Sequence, residues 1–508
     1  MTSLAHLSRR RFLGNSLLAA GAALPAARAF PAILGPSAKV DRDLEAVTLD
    51  GKSITLTRAS VQELGDSLRG NLILPGHAAY DPARRILNAQ MDKHPAFIVQ
   101  PRGAADVRNA VQFARESSLL LAVKCGGHSP SGKSTCERGM LLDLSLLRGV
   151  QVDAKARIAH VGGGSLLGDL DYEAMAHGLV TTAGTVSHTG VGGLTLGGGF
   201  GRVARRFGLA LDNVRSVETV TGKGEILRAS AQENPELYWG TRGGSGNFGV
   251  VTSFDFTLHP MQRKVLGGTI LFPMSQAKSV LTFYSEYEGV APEDLYLSAG
   301  LVSNVGPPGQ DVSGIGFQVC YSGPESGAEK VLKTIRSAGT PLFDGLQSMD
   351  YVALQKSGDL DERRAIGSYT KTGFIKKLSP QLVDAAIAGL ERHPDRATTV
   401  GFQHCGGAIS RVAADATAFP HRGIHATALL TSDWPATSDP GQHIDYLRKF
   451  WKTLEPHTDG FYTNDVIEET QKQVDENYLG NYPRLVALKN QYDPMNLFRL
   501  NANVRPKA

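Results

Sequence analysis

Cysteine is scarce in this chain of 508 residues: the four, Cys125, Cys136, Cys320 and Cys405, show no CxxC spacing. A disulfide scaffold and a thiolate zinc site are therefore not expected. Only Cys125 and Cys136 lie near one another in sequence. Charge of one sign is also missing, with 53 Lys and Arg against 49 Asp and Glu. Without a basic stripe interleaved with aromatics, nucleic acid is not an expected partner. No apolar run reaches the ~20 residues that cross a bilayer, so no stable membrane span is expected. Repeats, heptads and low-complexity tracts are absent, which argues against solenoids and coiled coils. The length itself implies two domains.

What the chain has in excess is glycine, 57 residues, well above the usual ~7%. The densest stretch is 184–201, GTVSHTGVGGLTLGGGFG. Lacking a Cβ, such a run lets a ligand approach the backbone and presents consecutive N–H groups to it. Its glycines alternate with Val191, Leu194, Leu196 and Phe200, which are core residues and not linker residues. CGGH at 125–128 and RGGSGNFG at 242–249 have the character of further walls of one cradle. Gly244, Gly246 and Gly249 match GxGxxG but run into a strand, so a nicotinamide dinucleotide site is not expected there.

The first residues read as an export signal. Arg9-Arg10-Arg11-Phe12-Leu13 precedes an Ala/Leu stretch that closes on Ala27-Arg28-Ala29. Arg9 to Leu13 resembles a twin-arginine signal, which implies the twin-arginine export machinery as a partner and a periplasmic or extracellular location. Beyond it, 44–58 alternates like a hairpin, and 60–68 reads as a helix capped by Ser60. Strands at 97–101 and 119–124 flank a helix over 104–117, and the second strand delivers the chain to Gly126-Gly127-His128. Further strands are expected at 140–144, 158–163 and 217–221, and helices at 166–177 and 202–211. From about 265 glycine clusters give way to strands such as 314–320 and 399–410 and helices such as 328–338 and 380–393.

KCGGHSPSG at 124–132 resembles the histidine segment of the berberine-bridge-enzyme-like FAD-linked oxidases of the vanillyl-alcohol-oxidase superfamily. Similar correspondences follow at GVGG (190–193), CGG (405–407), TAFPHRG (417–423), YTND (462–465) and NYPRLVALKNQYDPMNLFRLNANV (481–504). The resemblance implies an α+β fold: a two-subdomain PCMH-type FAD-binding domain plus a substrate domain with an antiparallel sheet carrying helices on one face. The expected division is 1–29 signal, 30–90 N-terminal extension, 91–262 FAD-binding domain, 263–459 substrate domain, and 460–508 returning to the FAD-binding domain.

It also implies FAD bonded covalently through His128. The flavin site is expected from Lys124, Cys125, Gly126, Gly127, Ser129 and Gly132, and from Gly184, Thr185, Val186, Thr189, Gly190, Gly192, Gly193, Leu196, Gly197, Gly198, Gly199 and Gly201. Gly244, Gly246, Asn247, Gly249, Val250, Val251, Asn501 and Asn503 complete it. Val186 stands where doubly linked relatives carry a second attachment cysteine, so a single link is implied. Thr189 stands where relatives govern oxygen access. The implied chemistry is hydride removal from a CH–OH or CH–NH group of a small substrate, with oxygen or another acceptor taking the electrons. Asp465, at the place of a tyrosine base in relatives, is the expected base, with Gln403 and His404 as substrate contacts. An N-cap before residues 466–469 is the competing role for Asp465. A dehydrogenase using a quinone or cytochrome, and a non-catalytic flavin or ligand binder, are the other readings. No metal is expected: His421 and His425 share a helical spacing, but Gly423 lies between them and no carboxylate accompanies them.

Overall fold

A computed structural model describes residues 39–305, 312–359, 366–465 and 467–507. The signal read over 1–29 lies outside the described residues. Among the described residues no helix is long and apolar enough to cross a membrane.

One sheet has the order Asn71–Ile73, Phe97–Gln100, Met140–Asp143, Leu121–Lys124. Its first pair is antiparallel and the other two are parallel. Every residue of Phe97–Gln100 and Met140–Asp143 is buried, as befits strands covered on both faces. The helix Ala104–Glu116 covers it through Val107, Ala110, Val111 and Ala114. Of the segment 30–90, expected as an N-terminal extension, the described residues pack against this sheet. Asn71–Ile73 is an edge strand of this sheet, and Val61 and Leu64 of the helix Arg58–Ser67 join Phe97 in its core. Those apolar residues would be left in water on a free arm. That helix is capped by Thr57 and not Ser60: the Ser60 amide donates to Thr57 Oγ1 at 3.2 Å.

A second sheet is antiparallel throughout, in the order Ile226–Ser230, Val214–Thr221, Gly249–Thr257, Ile158–Gly162, Val150–Asp153. The turn at 244–248 feeds the strand Gly249–Thr257 directly. The helix expected over 202–211 is instead two short pieces, Ala204–Phe207 and the 3-10 turn Ala210–Asn213, because Gly208 between them turns to φ 83°.

The largest sheet is antiparallel and runs Phe343–Asp344, Lys264–Pro273, Gly314–Tyr321, Leu295–Ser303, Ala397–His404, Ala426–Pro435, Ile366–Ile375, with Gln347–Asp350 also paired to Lys264–Pro273. Four helices, Ala277–Glu288, Glu325–Arg336, Pro380–Gly389 and Pro440–Leu454, contribute to one core with it. Two of them start on a polar cap followed by proline: Ser379 Oγ accepts from the Leu382 amide, and Asp439 accepts from the Gly441 amide. Val280, Leu281, Ile335, Leu382 and Leu447 pack with Phe317, Val400, Phe402 and Leu430, each such side chain contributing about 1.5–3 kcal/mol of burial. These helices occupy one face of the sheet, and the other face is left to line a cleft.

Candidate active site

The cleft is a cavity of about 460 Å³, in the range of small-molecule sites. Its first wall is backbone. The strand Leu121–Lys124 ends at Cys125, and Gly126 meets Gly190 so closely that a Cβ on either would lie 2.3 Å from the other's amide nitrogen. Glycine at both positions is thus what lets the two turns touch. The turn at Ser245 and Gly246 and the strand start Gly249, Val250 and Val251 close this wall.

Cys125, Gly126, Gly127, His128, Ser129, Gly184, Thr185, Val186, Thr189, Gly190, Gly192, Gly193, Leu196, Gly246, Gly249, Val250, Val251 and Asn501 all line the cleft. Other expected contacts stand behind it. Lys124 is buried with its ammonium on the Ala83 carbonyl, 3.5 Å from Asp143. Gly132 packs on Met91; Gly197 and Gly198 pack on Asn464 and Tyr462; Gly199, Gly201 and Gly244 pack on Ala210, Ala183 and Gly240. Asn247 accepts from the Val504 amide at 2.9 Å and donates to the Ala502 carbonyl at 3.0 Å, tying the C-terminal segment down. Asn503 also lies outside the lining, its carbonyl accepting from Gln471 at 2.8 Å. These residues shape the wall without reaching its surface, because motif spacing does not tell a wall's front from its back.

Two features test whether the wall suits FAD. A Cβ added to Gly193 or Gly246 would have nothing within 4 Å, and neither residue has a left-handed φ. Neither the backbone nor a protein neighbour requires glycine there, so what glycine preserves is open space in the cleft. Ser134 Oγ, Thr463 Oγ1 and Asn501 Oδ1 line the same cleft and are buried without a hydrogen-bond partner among the described residues. A ring system with polar edges would fill the one and satisfy the other.

His128 sits where the first two turns meet. Its Nε2 lies 2.6 Å from His188 Nδ1, and its Nδ1 lies 3.4 Å from Thr189 Oγ1.

The second wall is the open face of the large sheet. Ser298, Gln403 and Thr427 stand side by side on three neighbouring strands, and Thr370 is paired with Thr431 further along. With Ser368, Tyr296, Leu429 and Ile366 they make a lining of hydroxyls, one amide and a few apolar groups. His404 is corrected by the same register. It follows Gln403 on the strand and so points to the opposite face, where it is buried 3.7 Å from Glu288. Burial, with Arg205 and His425 nearby, depresses it to about 2, so it is neutral. His425 also pairs with Glu288, and His421 bonds the Asn477 carbonyl at 2.8 Å. Neither lies in a helix.

Asp465 stands between the walls. It is the one carboxylate among the described residues lining the cleft, no described residue hydrogen-bonds its side chain, and burial pushes it up to about 7. The next helix starts at Gln471 on a Thr470 cap, so Asp465 is not an N-cap. Beside it, the buried Tyr462 hydroxyl accepts from the Gly199 amide at 2.9 Å and from Asn464 at 2.8 Å. Burial raises its pKa, which keeps the phenol protonated. Lys133, the lining ammonium, is paired with Glu469.

Sequence reasoning missed the seam that holds 184–187. Gln355 donates to Asp171 and to the Gly184 carbonyl, both at 3.0 Å. Arg202 donates to Gln355 at 2.6 Å and to the Thr185 carbonyl at 2.9 Å, and Asp359 accepts from the Ser187 amide at 2.7 Å. Burial pushes Asp171 up to about 7. All four cysteines are free.

Comparison with known proteins agrees with this arrangement. Residues 95–230 match the FAD binding domain family and 462–505 the berberine and berberine-like family. An FAD-linked oxidoreductase of Dictyostelium discoideum is 33% identical over 88% of this chain and 97% of its own length. The crystal structure of 6-hydroxy-D-nicotine oxidase from Arthrobacter nicotinovorans superposes with a TM-score of 0.78 at 26% identity, covering 87% of this chain and 99% of that one. Carbohydrate oxidase from Microdochium nivale shares the fold, with a TM-score of 0.79 at 22% identity over 88% of this chain and 100% of that one. With the glycine-built wall, the open sheet face and these relatives together, the chain belongs to the berberine-bridge-enzyme-like FAD-linked oxidoreductases of the vanillyl-alcohol-oxidase superfamily.

Proposed function

We propose that this oxidoreductase removes hydride from the CH–OH group of a neutral, hydroxyl-bearing small molecule, with Asp465 as the base and FAD carried on His128. The observation that carries the reading is Asp465: a lining carboxylate with no hydrogen-bond partner among the described residues, pushed up to about 7 by burial. FAD, when bound, supplies the hydride acceptor. The turns at 126, 190 and 246 would hold it, and Asn501 and Thr463 would offer it oxygens that have no hydrogen-bond partner among the described residues. Asp465 takes the hydroxyl proton as hydride leaves. Ser368, Gln403 and Thr427 orient the substrate, and Leu429 and Ile366 exclude water beside them. Among the described residues the sheet wall lines the cleft with no charged side chain, which favours a neutral substrate over a cation. A CH–NH substrate is the second reading, favoured by the likeness to an oxidase of a hydroxynicotine.

Asp465→Asn should slow anaerobic flavin reduction by about 10³-fold. In the unsubstituted enzyme that rate should rise with pH and level off above about 7, since only the deprotonated carboxylate accepts a proton. A variant that reduces flavin at the unsubstituted rate would remove Asp465 from the mechanism. Bleaching by polyols and not by amines separates the two substrate readings. Export by the twin-arginine route and dioxygen as acceptor complete the proposal, the first supported by Arg9 to Leu13. Peroxide formed in step with substrate under air checks the acceptor, and its absence with dye reduction retained would assign a dehydrogenase.

A further inference from the structure

We infer that the adjacent carboxylates Glu468 and Glu469 are positioning residues that aim Asp465 into the cleft, Glu468 by gripping the large sheet and Glu469 by gripping the loop that carries His128. This rests on Asp465 acting as the base proposed above. A base must be held within hydrogen-bond reach of the proton it takes. No described residue hydrogen-bonds the Asp465 carboxylate, and the described residues of 461–470 form neither helix nor strand. Its direction is therefore set by where the chain on either side of it is fastened.

Before Asp465 the fastening is to the glycine wall. The Asp465 amide donates to the Tyr462 carbonyl at 3.1 Å, the Asn464 side chain donates to the Leu194 carbonyl at 3.1 Å, and the Tyr462 hydroxyl accepts from the Gly199 amide at 2.9 Å. After Asp465 the chain crosses to the other wall. Glu468 accepts from the Tyr369 hydroxyl, on the strand Ile366–Ile375, and from Arg448, on the helix Pro440–Leu454, both at 2.7 Å. The next residue turns back: Glu469, its side chain 8% exposed, is paired with Lys133, five residues beyond His128. Gln471 then donates to the Asn503 carbonyl at 2.8 Å. Three residues span at most about 11 Å, so an anchor at Glu468 leaves Asp465 little room to swing. The Lys133–Glu469 pair is largely enclosed. Removing one member strands the charge of the other, and the loop must shift to bring that charge to water.

The test reads the limiting rate of anaerobic flavin reduction per bound flavin, with KM alongside, using whichever compound of a polyol and amine panel bleaches the unsubstituted enzyme fastest. Glu469→Ala should lower that rate about 100-fold, the cost of a misplacement near 1 Å, and leave KM, flavin content and the midpoint of the pH profile as they were. Its crystal structure should show the Asp465 carboxylate displaced. Lys133→Met should fall equally, Lys133→Arg should keep the unsubstituted rate, and Lys133→Met combined with Glu469→Ala should be no slower than either alone. Lys133→Met decides the matter if Glu469→Ala fails to fold. On an Asp465→Asn background Glu469→Ala should cost nothing further, because the bridge acts through that carboxylate. An equal further loss on that background, an unmoved Asp465, or an unsubstituted rate in Glu469→Ala would overturn the inference. Asp465→Asn reducing flavin at the unsubstituted rate would overturn the base reading itself, which is a distinguishable result.

Discussion

The two walls of the cleft are built from different material. One is backbone: turns brought into contact by Gly126 and Gly190, with space kept open at Gly193 and Gly246. The other is side chain: Ser298, Gln403 and Thr427 abreast on three antiparallel strands. A backbone wall can accept a ring system closely but has little means of telling one substrate from another. A side-chain wall can change its selectivity one residue at a time without moving a strand. The cofactor half of the site is thus constrained by geometry, and the substrate half by surface chemistry.

The sharpest way to break this contrast is to add bulk to each wall in turn. Gly193→Val and Gly246→Val should abolish flavin retention, because each branched side chain enters space that only the cleft occupies. Ser368→Val on the facing wall should keep its flavin and change only substrate kinetics. Absorbance of the purified proteins at flavin wavelengths checks both, and equal flavin content in all three would erase the distinction.

The seam between the walls gives a pH-dependent effect. Asp171 is pushed from 3.8 up to about 7 by burial. At low pH the folded and unfolded chains both hold this proton and its full contribution is present. As pH rises through 4 to 7 the unfolded chain releases the proton first, so stability is lost up to the folded value, on the order of 4 kcal/mol. Asp171→Asn should therefore be more stable than the parent at pH 8 and close to it at pH 4, as read from urea midpoints. A difference that does not vary with pH would take Asp171 out of the seam's energetics.

The smallest expected effect separates neighbours on one strand. Gln403→Ala should lower kcat/KM about 10-fold, the size of one lost hydrogen bond to substrate, with flavin content unchanged. His404→Ala should instead lower thermal stability by leaving Glu288 with one fewer neighbour, and leave KM as it was. A KM effect at His404 would contradict the register.

Legibility in the sequence divided along the same line. The glycine wall could be read because its steric demands fall on residue types at short spacing: CGGH, GVGG and SGNFG each mark one turn. Asp465 was legible through the YTND segment. The sheet wall was not, since whether residue 403 or 404 faces the cleft depends on pairing with Ser298 and Thr427, more than 20 residues away or over 100. The same holds for Gln355 and Asp359, which reach 184–187 from a distant helix and loop. At the Thr57 cap, two hydroxyls three residues apart fitted the pattern, and only the fold of the preceding strand selects the first. The edge strand Asn71–Ile73 is three residues long, too short for alternation to show.

The most direct test of the cofactor wall is the mass of the peptide containing His128. Protein precipitated with acid should remain yellow, and digestion should yield that peptide carrying the mass of FAD less two hydrogens. Release of all flavin into the acid supernatant, with the His128 peptide at its unmodified mass, would contradict the attachment.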